Sequence, residues 1–205
     1  MNYEDYVDYQ VVKGLSFEKD NSHWANGQRR CVEKKFSNVN RKFNILDVCC
    51  GDGVGLKQFK DMGFVNVTGV EISDEKIAFA KQFNPNVLKR DICCGPFDLG
   101  GPYDIIYSSH TIEHVLNPEY TIKNIMSFLK DEGTFFLILP YPDSAAADPR
   151  YADRFKVHCG VIPLGLHIND GGQTTKNIIN NLGFTVSNVE FDNFREPEIH
   201  LTIHK

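Results

Sequence analysis

The residues best suited to chemistry are two carboxylates that bracket a glycine turn, with a set of histidines further along the 205-residue chain. Asp47 lies in the apolar run Ile45-Leu46-Asp47-Val48. It is followed by Cys49-Cys50-Gly51-Asp52-Gly53-Val54-Gly55. A second apolar run, Val65 to Val70, ends in Glu71, which stands 71 − 51 = 20 residues beyond Gly51. Gly51 and Gly53 let the backbone bend and approach a ligand that a Cβ would push away, and the amides of a helix start would face that ligand. An acid about 20 residues after such a turn is placed to take ribose hydroxyls in a Rossmann-like site. The ligand expected is a cofactor containing a nucleoside.

Among histidines, the side chains that most readily accept a proton near neutral pH, His110, His114, His158 and His167 are the candidate bases. His110-Thr111-Ile112-Glu113-His114 also fits the H-x-x-E-H zinc pattern. That pattern needs a sustained helix, and Pro118 follows too closely. The acids Asp143, Asp148, Asp153 and Asp170 lie near His158 and His167 and offer oxygen ligands for Mg2+. A solvated loop is the preferred account of them, so no metal site is assigned. In Glu198-Ile199-His200-Leu201-Thr202-Ile203-His204, a strand would put Glu198, His200, Thr202 and His204 on one face. The expectation is that this face is exposed, with metal ligation by it as the weaker alternative.

The dinucleotide fingerprint G-x-G-x-x-G is not met. The run is Gly51-x-Gly53-x-Gly55 with Leu56 in the last place, and Asp52 would repel a diphosphate. An NAD-dependent oxidoreductase is therefore the weaker alternative. The acids at 47, 52 and 71 suit a ligand carrying an ammonium and a sulfonium. Here the chain resembles the class I S-adenosylmethionine (SAM)-dependent methyltransferases, small-molecule type, with Cys49 where the family has its first glycine. The resemblance runs from about Phe43 to Pro140. It implies that Asp47, Cys49, Gly51 and Gly53 cradle SAM, and its product S-adenosylhomocysteine (SAH). Glu71 and Ile72 then hold the ribose, Asp91 and Ile92 meet the adenine, and Ser108 lies beside the donor methyl. It also implies methyl transfer to a small polar acceptor, with a hydroxyl, for instance of a sugar or nucleotide sugar, preferred over an amine or carboxylate. A non-catalytic SAM-binding subunit is a further alternative.

The elements that must position these residues read as an α/β alternation. Strands are expected at 43–48, 65–71, 86–89, 103–108 and 133–139, with helices at 54–62, 74–83 and 118–130. Asn117 and Pro118 supply a cap and first turn. A helix at 172–182 and strands at 184–191 and 198–204 would close the sheet. The fold class expected is α/β, a three-layer αβα sandwich with a mainly parallel seven-stranded sheet and an antiparallel last strand. One domain, 1–205, is expected: a helical cap at 1–40, a SAM-binding core at 43–140, an acceptor-site loop region at 141–171, and a C-terminal helix and hairpin at 172–205. Trp24 is read as core filling, with lining of the cofactor cleft by Ser22-His23-Trp24 as the weaker alternative.

Net charge is −5 and no Lys/Arg run exceeds a pair, which argues against a nucleic-acid partner. No apolar run approaches the ~20 residues of a membrane helix, so no membrane partner is expected. Six cysteines without C-x-x-C spacing read as reduced thiols of a cytoplasmic protein. A homodimer is compatible with all of this.

Overall fold

The structure is a computed structural model that describes residues 23–92, 98–115, 117–140, 171–194 and 197–205. Within the segment read as a helical cap lies α1 (His23–Phe36). The alternation then runs β1 (Ile45–Val48), α2 (Val54–Asp61), β2 (Val67–Glu71), α3 (Asp74–Ala80), β3 (Val87–Lys89) and β4 (Tyr103–Ser109). A one-turn 3-10 helix (Ile112–His114) leads to α4 (Pro118–Ser127), β5 (Leu129–Pro140), α5 (Gln173–Asn181), β6 (Thr185–Asp192) and β7 (Glu198–His204). The seven strands form one sheet in the order β3-β2-β1-β4-β5-β7-β6. Strands β1 to β5 pair in parallel, and β7 runs antiparallel to both of its neighbours.

Strand alternation sends side chains to two cores, one on each face of the sheet. Ile45, Val67, Ile105, Tyr107 and Ile138 pack against α1, α2 and α3. Leu46, Val48, Ile106, Leu137 and Leu201 pack against α4 and α5. This is the three-layer sandwich expected. The first core turns on Phe36, which meets Phe59, Phe64, Tyr107 and Phe136 edge-on at centroid distances of 4.7–5.8 Å. Truncating such a ring to alanine costs about 3–5 kcal/mol.

Three sequence readings are corrected. Helix 118–130 stops at Ser127, and β5 begins at Leu129 instead of 133, because Tyr103 pairs with Leu129 and its amide donates to the Phe128 carbonyl. The Glu198/His200 face is buried, since the sheet places β7 beneath α1. Trp24 is not core filling: it is 39 % exposed and sets its ring edge-on to His110, with centroids 4.9 Å apart.

Candidate functional site

The strand order reverses between β1 and β4, and ligands of such sheets bind outside the carboxyl ends of the strands at that point. The two described non-glycine residues with left-handed backbone flank it: Cys49 (φ 57°) after β1 and His110 (φ 53°) after β4. Each such residue costs of order 1–3 kcal/mol, and strain of this kind concentrates at ligand sites. The sequence carried no sign of this at His110. At Cys49 the sign was the family glycine it replaces.

The glycine turn is built by packing on three sides. A Cβ on Gly53 would lie 2.9 Å from the Ala80 backbone, and one on Gly55 2.9 Å from Asp47 Oδ2. The glycine at 55, out of place for a dinucleotide, is thus the one that lets α2 start against the Asp47 carboxylate. A Cβ on Gly51 would meet no described atom within 4 Å, so it is the φ of 57° that favours glycine there. Glu71 fastens the turn to β2. Its Oε2 accepts from the Gly51 amide at 3.0 Å, and its Oε1 from the amides of Ile72 at 2.8 Å and Ser73 at 3.0 Å. Ser73 in turn caps α3 through the Lys76 amide.

Asp47 is buried, and among the described residues its Oδ2 has no hydrogen-bond partner. Burial, and secondarily the Glu71 charge, pushes its carboxyl up to about 7. Burial also pushes the Cys50 thiol up, where its sulfur fills the space beside Gly69. Cys50 is a packing residue.

Asp91 follows β3, and Ile92 is buried with its carbonyl accepting from Thr121 of α4 at 3.3 Å. Ser108 is fully buried on the α4 side, paired across the sheet with Val48 and Leu137. Asp47, Cys49, Gly51, Gly53, Glu71 and Ile72 therefore converge on one turn, with Asp91 and Ile92 at the next strand's exit. Ser108 is sealed beneath.

Of the candidate bases, His110 lies among the described residues with its side chain. Its amide donates to the Ile138 carbonyl at 3.0 Å. Its Nε2 lies 2.9 Å from Glu198 Oε1, and its Nδ1 3.6 Å from Glu113 Oε1. Both glutamates are buried. His114 ends the 3-10 helix. His158, His167 and the rest of the 141–170 segment expected to form the acceptor site lie outside the described residues. The single 3-10 turn is too short to present H-x-x-E-H as two ligands on one helical face. Glu198, which sequence reasoning assigned to solvent, is buried against His110. Its other oxygen lies 3.0 Å from His200 Nε2 and 3.7 Å from Cys31 Sγ.

A family model described as a methyltransferase domain matches residues 18–188, so the chain belongs to that family. Its fold is that of the class I SAM-dependent methyltransferases. The ubiquinone biosynthesis O-methyltransferase of Coxiella burnetii is 34 % identical over 99 residues, which cover 45 % of this chain and 42 % of that protein. Its namesake in Rickettsia conorii is 31 % identical over 104 residues, covering 49 % and 36 %. The match thus spans less than half the length of these relatives. The crystal structure of magnesium protoporphyrin IX methyltransferase from Synechocystis PCC 6803, with bound SAH, superposes with a TM-score of 0.66 at 16 % identity, covering 98 % of this chain and 94 % of that one. At that identity the likeness concerns the fold.

The residues present suit SAM. A buried carboxylate oxygen without a partner among the described residues, and a turn where no described atom comes within 4 Å of a Cβ on Gly51, make an anionic cradle, which matches a sulfonium and an ammonium.

Proposed function

We propose that this chain is a SAM-dependent methyltransferase, one domain carrying both donor and acceptor sides, that methylates a hydroxyl of a small polar molecule in the cytoplasm. The observation that carries the hydroxyl reading is the His110–Glu198 pair, 2.9 Å apart at the carboxyl end of β4. A hydroxyl must lose its proton as it is methylated, and a buried carboxylate that fixes one imidazole nitrogen leaves the other to take that proton.

The cofactor, when bound, supplies an electrophilic methyl group on sulfur. Asp47 and the Gly51–Gly53 turn hold its charged end, Glu71 and Ile72 its ribose, and Asp91 and Ile92 its base. Cys49 shapes the turn. Ser108 supports it from below without reaching solvent. With Nε2–H donating to Glu198, His110 Nδ1 is the nitrogen that receives the acceptor proton. Glu113 then stabilises the imidazolium that forms. His114, His158 and His167 remain candidates for the same role.

Both O-methyltransferase relatives favour oxygen as the acceptor atom. The acidic net charge of −5 favours an uncharged or cationic acceptor over a nucleic acid. The test offers labelled SAM with panels of sugars, nucleotide sugars, phenols, amines and carboxylates. Label transferred to a hydroxyl compound, and lost in His110→Ala with SAH affinity kept, supports the reading. Transfer to amines alone, unaffected by that substitution, defeats it.

A further inference from the structure

The cluster behind His110 has a composition that proton transfer does not require. Cys31 of α1 and Glu198 and His200 of β7 are all buried, and one potential ligand atom from each lies within 4.8 Å of the others. Sulfur and imidazole converge on the same carboxylate oxygen, Glu198 Oε2, at 3.7 Å and 3.0 Å. Donors at the corners of a tetrahedron around zinc lie about 3.5 Å apart for a thiolate and a carboxylate oxygen, and about 3.3 Å apart for an imidazole nitrogen and that oxygen. The existing separations come within a few tenths of an ångström of those edges.

Two further features suit an ion. His200 is fully buried, and the nitrogen it turns to the cluster, Nε2, meets the same carboxylate oxygen as the thiol. The second carboxylate oxygen, Oε1, is held by His110 at 2.9 Å, and ligating carboxylates are characteristically oriented by such an outer hydrogen bond.

We propose that Cys31, Glu198 and His200 form a binding site for a divalent metal ion of borderline softness, Zn2+ first. A sulfur, a nitrogen and an oxygen donor select Zn2+ over Mg2+ or Ca2+, which take oxygen shells. Binding releases the Cys31 proton to solvent and leaves a thiolate, a carboxylate and a neutral imidazole around the cation. The ion ties α1 to β7 and fixes the carboxylate that orients His110. The site is independent of the acceptor's identity and of whether the chain transfers methyl groups.

The test is metal analysis of the full chain purified without chelators, then Co2+ titration of chelator-stripped protein followed by visible and near-ultraviolet absorption. The expected result is about one zinc per chain and a thiolate-to-cobalt charge-transfer band. Cys31→Ser, nearly isosteric, abolishes the band, and Cys31→Ser and His200→Gln each weaken Zn2+ binding roughly 100-fold or more. A chelator lowers the melting temperature of the wild type and leaves that of Cys31→Ser unchanged. Wild-type chain that takes up no Zn2+ or Co2+, or a folded Cys31→Ser variant that binds as tightly as wild type, overturns the proposal. Because SAH calorimetry on the stripped protein reads the cofactor site separately, a failed metal site and a failed methyltransferase reading give different results.

Discussion

Glu198 Oε1 lies 2.9 Å from His110 Nε2, joining residues 88 positions apart at the carboxyl end of the parallel strands, where β4 ends and β7 begins. The contact follows from topology. Because β7 inserts antiparallel between β5 and β6, its first residue pairs with Pro140, the last residue of β5, and faces the exit of β4. Substituting Glu198→Gln replaces one of two accepting oxygens with an N–H donor, so the contact with His110 or that with His200 and Cys31 must be lost. A charge-assisted hydrogen bond in a buried site contributes roughly 1.5–3 kcal/mol, and stability should fall by about that amount in a urea titration. If the carboxylate orients a base, kcat should fall at least tenfold while KM for SAM holds. A variant with wild-type kcat would return Glu198 to a purely structural role.

Much of this architecture was legible before the structure. Apolar runs of strand length ending in Asp47 and Glu71, the glycine turn, and the Asn117-Pro118 start are local signals, and each fell within a few residues of its element. The alternation of Glu198, His200, Thr202 and His204 gave the right period but the wrong environment. Periodicity identifies a face, whereas its cover is set by long-range packing, here α1 through Cys31. The His110–Glu198 pair was illegible for the same reason, since no spacing rule joins residues brought together by strand insertion. The false continuation of α4 to residue 130 arose because Phe128-Leu129-Lys130 is compatible with helix. The pairing of Leu129 with Tyr103 decides otherwise.

Cys49 is held at φ 57°, a conformation that disfavours any residue with a Cβ by about 1–2 kcal/mol. Cys49→Gly removes that strain, but glycine loses more backbone freedom on folding, roughly 0.5–1 kcal/mol. The net expectation is a gain of between zero and about 1.5 kcal/mol in the urea-unfolding free energy. Cys49→Val should lose stability, because a β-branched residue is the poorest fit to left-handed backbone. Equal stability for all three would show that the turn relaxes freely.

Glu71 accepts three backbone amides, from Gly51, Ile72 and Ser73. Glu71→Gln must present an N–H to at least one of these donors and leaves it unsatisfied, at a cost of about 1–3 kcal/mol. Since Glu71 both shapes the turn and is the proposed ribose anchor, SAH affinity by calorimetry should drop more than tenfold. Unchanged affinity in a folded variant would remove Glu71 from the cofactor site.

Asp47 sets the pH behaviour. Its carboxyl is pushed up to about 7 by burial and by Glu71, whereas in the unfolded chain it titrates near 3.9. Between these values the native state holds a proton that the unfolded state has released. Stability contributed by this residue therefore falls as pH rises from about 4 to about 7 and levels off above it. Asp47→Asn should abolish that decline and leave the ligand-free protein more stable than wild type at pH 8, by an amount of order a few kcal/mol. The same substitution should weaken SAM binding, if the anion is what meets the cofactor's positive groups. Binding at pH 6 must then expel the proton, so the calorimetric heat should vary with the ionisation enthalpy of the buffer, and affinity should rise as pH approaches 8. Heats that do not depend on the buffer, together with an Asp47→Asn variant that binds like wild type, would mean that Asp47 serves the packing against Gly55 and not the cofactor.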